Sequence, residues 1–197
     1  YWQIREKVRT VQIVTDEPWI PWEMVRPYRR EQQYVLDDDF LCQRFSLARW
    51  LRGAPASPSI TINESRIIGA GFDRSQRFTR LPQVNVEVSV VKSILEKVGT
   101  HSVALPPSRT EFFHSLEAGG FQHLHIACHG GASLKDGDRA MIRLEDGALA
   151  PLDITGKAIT FGFDHPLIFL NACETGRMGT SLTQLGGWAE RFIEVGC

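Results

Sequence analysis

No apolar run in this chain approaches the ~20 residues needed to cross a bilayer, and the N-terminus lacks the basic, apolar, then small-residue order of a secretory leader. Those absences lead us to expect a cytoplasmic protein. Charge of one sign is also missing: 22 Lys+Arg stand against 23 Asp+Glu, leaving a formal charge of −1 and no global field for nucleic acid or an anionic membrane. Only four cysteines, Cys42, Cys128, Cys173 and Cys197, are spread over 197 residues without a CxxC pair. That excludes the disulfide framework of a small secreted fold and makes each one a thiol. Internal repeats and low-complexity tracts are absent, and residues 53–59 (GAPASPS) are the one stretch of linker-like composition. Tyr1 stands where an initiator Met would, and the chain stops at Gly196-Cys197 directly after a helical pattern, so we expect a piece of something longer.

What is present is a 43% apolar chain, enough to bury a real core, whose pattern alternates between strands and helices. Residues 8–14 (VRTVQIV) read as a strand by β-branched content. Leu41, Phe45, Ala48 and Leu51, preceded by Asp37, Asp38 and Asp39, have the spacing and N-terminal charge of an amphipathic helix. Residues 59–62 and 66–72 read as short strands broken by the Asn63-Glu64-Ser65 turn. Val84, Val88, Val91, Leu95 and Val98 share one helical face, closed by Gly99. A strand at 101–105 follows, and Ser108 with Glu111 forms a capping box for a helix running to Leu116 and stopped by Gly119-Gly120. Residues 123–129 (HLHIACH) and 166–173 (PLIFLNAC) read as central parallel strands, with a hairpin signal at Asp146-Gly147 and a short helical pattern after Pro151 between them. Leu182, Leu185, Ala189, Phe192 and Ile193 mark a last helix. The order predicts an α/β layered fold with a mainly parallel sheet flanked by helices.

In such sheets, sites form beyond the carboxyl ends of strands. His129 ends one apolar strand before Gly130-Gly131, and Cys173 ends the other before Glu174-Thr175-Gly176. If the two strands are neighbours, a thiol nucleophile and its base flank one cleft. Gly130 and the Cys173 amide are the natural donors to a developing oxyanion, and His129 can take the thiol proton and return it to the leaving amine.

The strings LHIACHG (124–130) and FLNACETG (169–176) resemble the two signature motifs of CHAT domains, the caspase-like group related to separases, caspases and clostripain-type peptidases. The resemblance covers about residues 80–197, from Leu81-Pro82 and the helix containing Glu87 to the last helix. Residues 1–79 match less tightly and are expected to form the N-terminal part of the caspase-like region. It implies a caspase-like fold and a cysteine peptidase with His129 as general base, Cys173 as nucleophile and Gly130 in the oxyanion hole. Hydrolysis would pass through a thioester, with no metal or organic cofactor. Members are often fused to tetratricopeptide repeats or sensor domains and act as triggered proteases in bacterial defence, including CRISPR-associated complexes. The implied partners are therefore a protein substrate and a regulatory domain or CRISPR effector, with neither nucleic acid nor membrane bound directly. One departure is that the family normally places another strand after the last helix, whereas this chain ends at Cys197.

Other readings of the same residues exist. His123, His125, Cys128, His129 and Cys173 are zinc-ligand types, but strand alternation puts His123, His125 and His129 on one face and Cys128 on the other. His125 then reads as a hydrogen-bonded core histidine and Cys128 as a buried filler. Glu174, Thr175, Asp136, Asp138, Asp146 and Asp153 read as solvated loop residues, and Trp2, Trp19, Trp22, Trp50 and Trp188 as packing groups. A catalytically silent caspase-like interaction module is the second functional class, and a latent protease awaiting a partner the third.

Overall fold

In the computed structural model, which describes residues 1–15, 20–50, 59–72, 78–131, 140–154, 156–158, 160–172 and 187–197, the chain divides into two units, Tyr1–Ala56 and Ser57–Cys197. In the first, β1 (Thr10–Val14) forms at the β-branched run and pairs in parallel with β4 (Ser46–Trp50), while β2 (Tyr28–Arg30) and β3 (Val35–Asp37) make an antiparallel pair. The helix expected from residue 37 to 51 is not there. One turn, α1 (Leu41–Arg44), ends as Phe45 turns extended, and the chain enters β4. Pairing with β1 outweighs a helical spacing carried by four residues. The aspartates also have other partners: Asp37 pairs with Tyr28, and Asp38 accepts from the Tyr1 hydroxyl and lies 2.6 Å from the Arg5 guanidinium. Leu51 lies outside the described residues, as do 53–58 of the linker-like stretch.

The second unit is built on a six-stranded, mainly parallel sheet. Its strands are β5 (Glu64–Gly69), β6 (His101–Leu105), β7 (His123–Gly131), β8 (Met141–Leu144), β9 (Gly147–Leu149) and β10 (Leu167–Ala172). β7 is central, with β5 and β10 parallel on it, β6 parallel on β5, and the β8–β9 hairpin antiparallel on its C-terminal end. One strand replaces the two expected before residue 73, because the supposed turn Asn63-Glu64-Ser65 is held by long-range partners. The Asn63 and Glu64 amides both donate to Gln122 Oε1 at 3.1 Å, and Ser65 pairs with Ser102 and His123. The hairpin turns at Glu145-Asp146, so Gly147 opens β9.

Helices cover both faces. α2 (Pro82–Lys97) starts with Pro at its first turn and ends before Gly99 at φ 88°. It packs on β5, β6 and β7. α3 (Arg109–Ala118) opens on Ser108, whose Oγ accepts the Glu111 amide as the expected box requires, and closes at Gly119. A short turn at Pro151–Ile154, α4 (Phe161–Asp164) and α5 (Trp188–Glu194) complete the elements; Leu182 and Leu185 lie outside the described residues.

The two faces of β7 differ chemically. Its even-numbered residues Leu124, Ile126 and Cys128 enter one apolar cluster with Ile68, Phe112, Leu116, Phe121, Phe161, Trp188 and Phe192. Its odd-numbered residues His123 and His125, although buried, turn to the other face. Trp188 is a packing group as expected, with its indole N–H on the Ala140 carbonyl at 2.8 Å.

Candidate functional site

The two apolar strands expected to lead into the site are neighbours. β10 runs directly beside β7 in parallel register, with Leu167 level with His123 and Ala172 level with Cys128. The residues that follow these last two partners are His129 and Cys173. Cys173 itself lies outside the described residues, as do Glu174, Thr175, Asp136, Asp138 and Trp19.

His129 is half-buried where β7 meets the hairpin, level with Arg143 of β8. Its Nε2 lies 2.6 Å from the Thr79 carbonyl oxygen, and the ring packs on Phe78 with centroids 5.2 Å apart. A carbonyl oxygen only accepts, so the hydrogen sits on Nε2 and the lone pair on Nδ1. In the neutral ring that tautomer leaves Nδ1 able to accept a hydrogen bond. Phe78 also makes a cation–π contact, with the Arg143 guanidinium carbon 4.6 Å from the ring centroid. Gly130 follows His129 in the strand, level with Ile142.

Next to this lies a polar network on the α2 face of the sheet. His125 is 4% exposed, stacks on Phe169 at 4.8 Å between centroids, and has Nε2 2.7 Å from Glu87 Oε1. The Asn171 side-chain amide donates to both Glu87 oxygens at 2.9 Å. His123 Nδ1 is 2.7 Å from Ser65 Oγ, and burial, reinforced by His125, holds the His123 ring below its ordinary 6.5. His125 is therefore the hydrogen-bonded interior histidine expected, and Cys128, at 3% exposure in the apolar cluster, the expected filler. Among the described residues no three His, Cys, Asp or Glu gather as a metal ion would require. Of the described thiols, Cys42 is exposed, whereas burial pushes Cys197 well above the usual thiol range.

The CHAT-domain family profile matches residues 4–197, essentially the whole chain. The chain belongs to the CHAT-domain family. Membership implies a caspase-like peptidase family, and the match runs through the N-terminal residues that the motifs alone left weakly matched. No curated protein matches the chain. Among the described residues, no helix is long and apolar enough to cross a membrane.

Several groups in this site had little sequence signal. The Thr79 carbonyl is backbone, which any residue supplies. Glu87 stood out only as part of a helix, and Asn171 only as a letter in a motif. Strand alternation would have placed Asn171 on the face of His125 and His129.

Proposed function

We propose that this CHAT domain is a cysteine endopeptidase in which Cys173 is the nucleophile and His129 its base. The supporting observation is the parallel β7–β10 register, which sets Ala172 beside Cys128. Neighbouring strands run about 5 Å apart, so the described ends of the strands that lead into His129 and Cys173 lie side by side. His129 Nδ1 takes the thiol proton as sulfur attacks the scissile carbonyl carbon, and the amides of Gly130 and Cys173 hold the oxyanion. Collapse breaks the C–N bond, the amine leaves with the proton from His129, and water hydrolyses the thioester. On the family resemblance alone, we extend the reading to a cytoplasmic protease triggered by a regulatory domain or partner in bacterial defence, a CRISPR effector among the candidates.

The test is iodoacetamide labelling resolved by mass spectrometry, with exposed Cys42 as internal reference. Cys173 is expected to label faster than Cys42 at neutral pH and to lose that preference in His129→Ala. Equal labelling in both proteins would favour a silent interaction module. A Cys173→Ala protein that still cleaves candidate substrates would remove the nucleophile.

A further inference from the structure

We infer that Glu87 is a positioning residue of this site, clamping the C-terminal halves of the two strands that lead into His129 and Cys173. The inference rests on the peptidase reading above. Its basis is one carboxylate shared between strands: Glu87, projecting from α2, receives the Nε2 hydrogen of His125 on β7 and the side-chain amide of Asn171 on β10. Asn171 is two residues before Cys173, and His125 four before His129.

Two features indicate that the clamp orients rather than merely stabilises. First, the described strand partner of β10 is β7. The Asn171–Glu87 bonds add a restraint on β10 from a helix rather than from a strand. Second, an apolar contact would serve stability on this face at least as well. A partly desolvated carboxylate loses hydration that its hydrogen bonds do little more than replace, so its specific yield is geometry. Phe169, level with His125 and stacked on it, is 53% exposed, so the α2 face of β10 is open to solvent beside the clamp. The helix is itself set close to the sheet, because Gly69 and Ala127, level with each other and with Asn171, present little bulk at that row.

The experiment is a charge exchange across the pair, read by the labelling rate of Cys173 and by thermal unfolding in the same samples. Asn171→Asp sets two carboxylates against each other, and Asn171→Ala removes the amide without adding charge. The Glu87→Gln/Asn171→Asp protein restores a complete set, since the new amide oxygen accepts from His125 and the new amide nitrogen donates to the new carboxylate. We expect Cys173 labelling to fall by about tenfold or more in either Asn171 variant, as small displacements of reacting groups do. The exchanged pair should recover most of that rate, while labelling of Cys42 stays constant throughout. The inference is overturned if folded Asn171→Ala labels at the parent rate, or if the exchanged pair regains thermal stability without regaining the rate. Should the parent protein show no His129-dependent preference at Cys173, the peptidase reading fails and takes this one with it. Should that preference be present and unmoved by the Asn171 variants, only the clamp fails.

Discussion

Substituting Gly69→Ala tests whether the approach of α2 to the sheet is as close as the structure has it. A Cβ at residue 69 would lie 2.3 Å from Val88 Cγ2 and 2.9 Å from Val84 Cγ1. Carbon atoms in contact prefer about 3.5–4.0 Å, so the helix must retreat or a valine must turn. Valine in a helix holds one χ1 rotamer about 90% of the time, which makes turning costly. Overpacking of this kind costs about 1–3 kcal/mol. Relief of glycine's unfolded-state entropy returns about 0.5–1 kcal/mol, leaving a net loss of about 0–2.5 kcal/mol, with a middle value of about 1 kcal/mol. In urea that loss would lower the unfolding midpoint by about 0.5–1 M. Val88→Ala deletes the nearer of the two clashing methyls, so the double variant should be more stable than the sum of the single effects by about 1 kcal/mol. A retreating helix would also draw Glu87, the residue before Val88, away from His125 and Asn171, so Cys173 labelling should fall more than the stability change alone explains. A stabilising Gly69→Ala, or an additive cycle with Val88→Ala, would refute the packing argument.

Arg66 ties β5 to the end of α3, with one guanidinium nitrogen on Ser115 O at 2.7 Å and Ser115 Oγ at 2.8 Å, and the other on Gly119 O at 2.6 Å. Arg66→Met should cost about 1.5–3 kcal/mol in chemical denaturation, and a loss under about 0.5 kcal/mol would show that water replaces these bonds freely. His123, held below its ordinary 6.5 by burial first and by His125 second, takes up its proton at lower pH in the folded protein than in the unfolded chain. Its contribution is therefore complete above pH 6.5 and declines as pH falls below that value toward the folded pKa. His123→Asn should flatten the decline in melting temperature as pH falls below about 6.5, and an unchanged slope would assign it to other groups.

The parts legible in the sequence are those whose local signals agree with their long-range partners. β7 and β10 are apolar runs that pair with each other, and Pro82, Ser108, Gly99 and Gly119 mark helix ends where the structure has them. Elements whose polar residues have distant partners were misread. Asp37 to Asp39 looked like the acidic start of a helix, yet Asp38 belongs with Tyr1 and Arg5, and the segment after Phe45 is claimed by β1. Ser65 looked like a turn residue, yet its hydroxyl meets the His123 ring. Near the candidate site, what the sequence makes legible is the pair of apolar strands that lead into His129 and Cys173. The Thr79 carbonyl that fixes the His129 tautomer was not legible, because residue identity does not encode a backbone oxygen's position.

The polar and apolar faces of β7 are therefore parts of one device. Because strand side chains alternate with period two, a slip of one residue would turn His125 and His129 into the apolar layer and send Leu124, Ile126 and Cys128 to the α2 face. The apolar cluster with Phe112, Leu116 and Phe121 forbids that slip, since it would strand imidazoles among aromatic and aliphatic groups. The same parity holds on β10, where Ile168, Leu170 and Ala172 pack against the cluster while Phe169 and Asn171 meet His125 and Glu87 on the other face. Burial on the α3 side thus sets the register that brings His125, His129 and Asn171 to the α2 side, and the contacts with Glu87 and Thr79 refine a placement already made by the core.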